Sequence, residues 1–258
     1  MAGGGGLVAS NCTLQLKGVS KSFTRTDSQE ITTAIDNINL DVKDGEFISI
    51  VGPSGCGKST ILRLIAGLIP PTEGSILLNG KPINGTSPNR GLVFQEPTLF
   101  PWLTVEDNVA FSLKILGKYK EKKKEVDRLI ELVGLSEFRN SYPHQLSGGM
   151  AQRVALIRTM INEPEVFLLD EPLGALDAFT RMNMQDEILS MWRANKHIVI
   201  MVTHDIDEAI YMSSRVVIMA PRPGRIKKDL IIDLPYPRNR MSDEFIDYRK
   251  EIMENLNF

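Results

Sequence analysis

The chain has 258 residues, a formal net charge of -2, and 42% hydrophobic and 24% charged side chains, a globular composition with room for one large domain or two small ones. A balance this close to neutral gives no global basic field for nucleic acid, and two cysteines, Cys12 and Cys56, make no disulfide scaffold, which fits a reducing cytosol. No apolar run approaches the roughly 18 to 20 residues that cross a bilayer, so any membrane role has to come through partner chains.

Residues 1–10 read as a flexible, glycine-rich leader without the basic and apolar stretches of a secretory signal, and residues 11–258 as one domain. LQLKGVSKSF (14–23), IDNINLDV (35–42) and GSILLNG (74–80) alternate apolar and polar residues, as half-exposed antiparallel strands do. FISIV (47–51) is instead a continuous apolar run suited to a fully buried strand, and the type recurs at VFLLD (166–170), IVIMV (198–202) and VVIMA (216–220). Helical patterns separate most of these runs, which predicts an α/β fold with a mostly parallel sheet covered on both faces and an antiparallel β subdomain in front of it.

Between about 97 and 161 the pattern turns helical and reads as an inserted α-helical subdomain. Thr104 and Asp107 have capping-box spacing, and Val105, Val109, Leu113 and Leu116 then fall on one face before Gly117 ends the helix. KYKEKKKEVDRLIELVG carries a second helix whose lysine run reads as a solvated face. LSGGM opens a third, with Met150, Val154, Ile157 and Ile161 as its buried stripe, so that its N-terminal amides point outward, where an anion would bind. After RPGRI the chain returns to a strand pattern. A C-terminal helix over about 242–256 follows, with Phe245, Tyr248, Ile252 and Leu256 on one face for packing.

Gly52, Pro53, Ser54, Gly55, Cys56, Gly57, Lys58, Ser59 and Thr60 match G-x-x-x-x-G-K-[ST] in full, directly after FISIV and before the helical TILRLIAGL. Glycines let successive N–H groups turn inward around phosphate oxygens, Lys58 reaches the terminal phosphates and Ser59 offers a hydroxyl to Mg²⁺. Nucleoside triphosphate binding follows. VFLLDE then explains why a buried strand ends in adjacent acids: Asp170 is placed to hold the Mg²⁺, and Glu171 to orient or deprotonate an attacking water. Cys56 reads as a small space-filling residue. A thiol of lowered pKa at a helix N-terminus, whose alkylation would block the nucleotide, is the alternative.

LSGGMAQR (146–153), together with Gln95, GALD (174–177) and THD (203–205), closely resembles the ATP-binding cassette (ABC) family, in the family's order and across most of the chain. The resemblance implies a P-loop ATPase whose cassettes pair head to tail, with Ser147, Gly148 and Gly149 of one chain on the γ-phosphate held by the other. It implies a bridging role for Asp177, a γ-phosphate contact for the switch residue His204, a place for Gln95 near Mg²⁺ and the water, and adenine stacking on Phe23. His144 and His197 are read as structural or surface residues.

QEPTLFPWLTVEDNVAFSLK and MAPRPGRIKKDLIIDLPYPR resemble the ATPases of bacterial nitrate, sulfonate and taurine importers. That resemblance implies ATP and Mg²⁺ as ligands, a second cassette, two transmembrane permease subunits, an indirect link to an extracytoplasmic solute-binding protein, no nucleic acid, and a peripheral place on the cytoplasmic face of the inner membrane. Phe100, Pro101 and Trp102 read either as the docking point for a permease helix or as local packing. Bicarbonate or vitamin-precursor import is the alternative within transport. Cassettes of DNA repair and translation are disfavoured because no second cassette, coiled-coil insertion or zinc module is present, and a sensing scaffold because Glu171 and His204 are both in place.

Overall fold

The computed structural model describes residues 13–24, 30–174, 176–195 and 197–256. The leader and Cys12 lie outside the described residues. Two sheets share one interior. The first is antiparallel and runs β2 (Ile31–Lys43), β1 (Thr13–Thr24), β4 (Glu73–Leu78), β5 (Lys81–Pro82). Leu14 faces Val42 on one side and Leu78 on the other, and Leu16 faces Leu40 and Ile76. Leu14, Leu16, Ile38, Leu40, Val42 and Ile76 are buried, so the period-two pattern puts one face inward.

The second sheet runs β10 (Ile226–Ile231), β9 (Arg215–Met219), β3 (Phe47–Val51), β8 (Ile198–Val202), β7 (Val166–Asp170), β6 (Arg90–Val93). All neighbours are parallel except β10 with β9. Every residue of β3, β7 and β8 is buried, which is why these strands are apolar throughout except for Ser49 and the terminal Asp170. Each fully buried Val, Leu or Ile contributes about 1.5–3 kcal/mol relative to exposure, and only layers on both faces make that possible.

One face packs against α1 (Lys58–Ala66) and the antiparallel sheet, and the other against the helices α2 (Val105–Val109), α4 (Tyr119–Leu132), α5 (Gly148–Met160) and α6 (Ala178–Asn195). A third cluster joins α7 (Ile206–Met212), α8 (Asp243–Leu256), β9 and β10. Phe245 and Ile252 of α8 are fully buried, and Tyr248 and Leu256 pack beside them.

The helical stretch departs from the sequence reading at one point. The expected single helix after Thr104 is broken at Ala110 into α2 and α3 (Phe111–Ile115), and Leu116 is 60% exposed rather than part of the stripe. Val105, Val109 and Leu113 do face the core. The Thr104 hydroxyl accepts the Asp107 N–H at 3.1 Å as a helix cap. Ahead of the break Asn108 is fully buried; its amide oxygen accepts the Phe100 N–H and its nitrogen donates to the carbonyls of Phe100, Leu103 and Thr104. The loop 100–104 is thereby wrapped around one side chain, with Trp102 at its crest, 69% exposed. The lysines of α4 stay at the surface, where Lys122 pairs with Glu163 and Lys123 with Glu106 and Asp127.

Replacing Asn108 by alanine takes their side-chain partner from the Phe100 N–H and the Leu103 carbonyl, while the Phe100 and Thr104 carbonyls keep the backbone N–H groups of Leu103 and Asn108. The expected result is a loss of about 1–3 kcal/mol in unfolding free energy, the range for unsatisfied buried polar groups, read by urea denaturation.

Candidate functional site

The site is built at the carboxyl ends of four neighbouring strands. In the ladders Ile50 lies opposite Val202, Val202 opposite Asp170, and Val93 opposite Leu169. The segments leaving β3, β8, β7 and β6 are therefore level, and they carry Gly52–Thr60, Thr203–His204, Asp170–Glu171 and Gln95. Ligands of open parallel sheets bind at this edge. The Glu171 N–H continues the ladder to the Val202 carbonyl at 2.9 Å, and the Thr203 N–H to the Ile50 carbonyl at 3.3 Å.

After β3 the loop 52–57 folds over the start of α1. Gly57 caps the helix at φ 94°, and a methyl group there would lie 2.3 Å from Cγ2 of Ile35, so backbone conformation and close packing both require glycine. Lys58 is 8% exposed, and its ammonium is held by the carbonyls of Gly52 at 2.8 Å and Pro53 at 3.1 Å. Both acceptors are neutral, so an anionic oxygen would replace them with a stronger bond in which donor and acceptor are both charged. Ser54 and Gly55 are exposed at the loop's outer edge, and Thr60 is half-buried in the first turn of α1.

Cys56 faces the interior, 1% exposed, with its thiol pushed up by burial against the pull of Lys58. The space-filling reading holds for its side chain, and the activated thiol does not. A residue that sequence reasoning passed over lies directly above it. A methyl group on Gly224 would lie 1.9 Å from the Cys56 carbonyl oxygen, so the strap 221–225 rests on the loop because this residue has no side chain. Arg222 of the same strap donates to the Gly55 carbonyl at 3.3 Å. The glycine in PRPG, directly after a buried strand, was the available signal.

The Ser59 hydroxyl donates to Asp170 Oδ1 at 3.0 Å. Asp170 is 7% exposed, and burial pushes its carboxyl above the usual range. The Ser59 bond partly offsets this, and the neighbouring Glu171 charge adds to it. A buried carboxylate raised in this way favours a cation at its side, and a hydroxyl beside a carboxylate, as Ser59 stands beside Asp170, offers the hard oxygen ligands that suit Mg²⁺. Among the described residues no group of three or more His, Cys, Asp or Glu side chains could hold a metal ion by itself.

Glu171 has φ 46°, on the left-handed side that costs a non-glycine residue about 1–2 kcal/mol. Its Oε2 accepts Gln95 Nε2 at 2.9 Å and lies 3.3 Å from His204 Nδ1. Three residues far apart in sequence thus converge on one oxygen. Gln95 is steadied from behind, because the buried Gln152 of α5 donates to the Phe94 carbonyl at 3.1 Å. Such an arrangement can align a water and accept its proton.

Phe23, at the end of β1, is 44% exposed, with the Lys21 ammonium 5.3 Å from its ring centre. It lines a cleft with Thr33, Ala34, Gly55 and Arg222, on the same side as the phosphate loop. Ser147, Gly148 and Gly149 are not brought to that loop. Ser147 caps its own helix by accepting the Met150 N–H at 3.2 Å, Ser147 and Gly148 are exposed, and a methyl group on Gly149 would lie 2.7 Å from Leu176. Asp177 is likewise exposed and accepts the Thr180 N–H at 3.0 Å, which holds its carboxyl below the usual range. His144 stacks on Tyr142, and His197 borders an apolar cavity with Trp192 and Phe167, at the amino end of β8 and so across the sheet from the site.

A family profile described as ABC transporter matches residues 35–174. The chain is 50% identical to an uncharacterised ABC transporter ATP-binding protein of Methanocaldococcus jannaschii, over 94% of this chain and 91% of that protein. It is 48% identical to the aliphatic sulfonates import ATP-binding protein of Bacillus cereus, over 95% and 96%. Among solved structures it superimposes on a dimeric ATP-binding cassette in a post-hydrolysis state bound to ADP and Pi, with TM-score 0.76 and 34% identity over 85% of this chain and 98% of that one. A Clostridium perfringens cassette of a transporter complex gives TM-score 0.74 and 27% identity over 95% and 94%.

The buried Cys56 thiol yields a direct check. At neutral pH iodoacetamide is expected to modify Cys56 at least about 10²-fold more slowly in the native protein than in urea, because the thiolate is both rare and inaccessible. Peptide mass spectrometry resolves it from Cys12.

Proposed function

The chain belongs to the ABC transporter family and is an ATP hydrolase, and from that premise we propose that it drives an importer for small organic anions of the aliphatic sulfonate type. The observation that carries the hydrolytic part is the convergence of Gln95 and His204 on Glu171, one residue from the Ser59–Asp170 pair. The sulfonate assignment draws on the Bacillus cereus relative. In this reading two copies of the cassette pair head to tail, and the structural neighbour bound to ADP and Pi, which is dimeric, supports the pairing. Ser147, Gly148 and Gly149 of each, the first two exposed, then face the phosphate loop of the other, and Asp177 lies at the bridge between them.

The residues divide the work as follows. The N–H groups of residues 54–60 and the Lys58 ammonium hold the phosphates, Lys58 leaving the carbonyls of Gly52 and Pro53 as it does so. Phe23 stacks on adenine. Ser59 and Asp170, with Gln95 close by, would hold Mg²⁺, which would supply positive charge against the phosphates. Glu171 takes the proton of the attacking water, while His204 and Gln95 fix its carboxylate and the γ-phosphate side of the pocket. The helix dipole and hydroxyl at Ser147 complete the anion site across the dimer.

Two transmembrane permease subunits would receive the closing motion, with the solute-binding protein on the far side of the membrane. No helix among the described residues is long and apolar enough to cross a bilayer, and in this reading the cassette sits peripherally on the inner membrane's cytoplasmic face. Trp102, held up by the Asn108 knot with Phe100 and Phe111 beneath it, supports a docking role for that loop.

Glu171→Gln is expected to keep ATP affinity within about threefold while turnover falls by about 10²–10⁴, the usual value of a positioned base. The variant should run as a dimer with ATP in size-exclusion chromatography. Near-wild-type turnover would remove Glu171 from this role, whereas Lys58→Ala should lose nucleotide binding itself in equilibrium dialysis. For the transport half, Trp102→Ala should leave ATPase activity of the isolated chain within about twofold and reduce sulfonate uptake at least about tenfold in vesicles reconstituted with its permease, as loss of an interface anchor does.

A further inference from the structure

The helix that follows His204 is anchored to the site by a side chain that touches no candidate ligand position. Glu208 is 4% exposed, and burial pushes its carboxyl above the usual range. An apolar residue would fill its place without the cost of burying a carboxyl group. Its bonds show what that cost maintains. The residues on either side of His204 both reach Glu208. The Asp205 carboxylate accepts the Glu208 backbone N–H at 3.1 Å as the cap of the helix, and the Glu208 side chain lines one small cavity with Thr203 and His204, where Thr203 draws its carboxyl back down. The Thr203 hydroxyl oxygen accepts the Asp205 N–H at 3.1 Å, so the His204 peptide is closed into a small hydrogen-bonded ring.

Behind Glu208 the chain of contacts runs outward. Gln185 of α6, 1% exposed, donates to Glu208 Oε1 at 3.1 Å, and the carboxamide oxygen of Gln185 accepts from the Arg240 guanidinium. Arg240 belongs to the C-terminal segment and lies over the Tyr211 ring at 4.1 Å. Two further arginines of that segment hold the same seven-residue helix. Arg249 pairs with Asp207 in its first turn, and the buried Arg238 donates to the Ile210 and Ser213 carbonyls at its end. The cavity shared by Glu208, Glu171, Thr203 and His204 measures about 40 Å³, room for little more than a water molecule. Glu208 therefore reaches the reaction through its neighbours and not by touching a nucleotide.

We propose that Glu208 is the positioning residue for His204, fixing the loop that aims the imidazole at Glu171, and that Arg240 acts on it through Gln185, giving the C-terminal segment a hold on the hydrolytic site. The inference rests on the reading of His204 as part of that site. Both can be tested in one double-mutant cycle on the full chain, by steady-state and single-turnover ATP hydrolysis. Glu208→Ala is expected to lower kcat about tenfold with KM for ATP within twofold. Glu208→Gln, which keeps an oxygen for Gln185 and a polar group for Thr203, should stay within about threefold of wild type. In a His204→Ala background Glu208→Ala should bring no further fall.

If His204→Ala leaves kcat unchanged, the reading of His204 fails, and this inference with it. If His204→Ala impairs turnover but the Glu208→Ala effect multiplies in that background, or Glu208→Ala leaves kcat at the wild-type value, only the inference is overturned. A KM that rises as kcat falls would point to general loosening and overturn it equally. Should Glu208→Ala fail to fold, as judged by circular dichroism, Arg240→Ala serves in the same cycle, because Arg240 lies at the outer end of the chain of contacts. Its expected fall in kcat is about threefold, again absent when His204 is alanine, and a multiplicative effect rejects the proposal.

Discussion

The level ending of four parallel strands is the constraint on which the rest depends. Register in a parallel ladder is fixed once two strands pair, because a slip moves every buried side chain. With Ile50 opposite Val202, Val202 opposite Asp170, and Val93 opposite Leu169, the phosphate loop, His204, the two acids and Gln95 must leave the sheet along one line. Nothing in the loops has to find the others. The fully buried strands β3, β7 and β8 place them, and their apolar runs are what make a shift costly.

Electrostatics explain why the line stays open for a ligand. Two carboxylates sit at the tip of β7, one of them buried beyond its comfort, while the ammonium of Lys58 is turned back onto its own loop. Lys58 is paired with the neutral carbonyls of Gly52 and Pro53, and Asp170 with the neutral hydroxyl of Ser59. In the proposed reading a magnesium-bound triphosphate would answer both charges at once. The left-handed backbone at Glu171 belongs to the same balance: strain is held where Gln95, His204 and the ladder bond to Val202 jointly determine the conformation.

Two features carry influence away from this centre. The loop 100–104, gathered around Asn108, lies a few residues from Gln95, and α5 reaches back through Gln152 to the backbone just before it. The serine–glycine turn that begins α5 therefore moves with the segment that bears Gln95. On the other flank α7 is bound from its first turn to its last by arginines of the C-terminal segment. Both flanks of the hydrolytic residues are consequently tied to surface elements, one where the permease is proposed to dock and one at the chain's end.

Much of this was legible in the sequence. Apolar runs and alternating segments marked both sheets, since burial on two faces and on one leave different residue patterns. Gly52–Thr60 and the acids after VFLLD declared their chemistry, because a phosphate cradle admits so few residue types at its spacing. Other features needed the tertiary structure. That Gln95 and His204 meet on a single Glu171 oxygen depends on strand order, which no local pattern encodes. Leu116 had the right spacing for the core, yet the helix is interrupted at Ala110 and Leu116 ends at the surface. Gly224 and Glu208 have no motif of their own; one matters because a carbonyl lies where its side chain would be, the other because Thr203, Asp205 and Gln185 surround it. Local chemistry can be read from composition and spacing, whereas contacts between distant segments exist only once the sheet has set their distance.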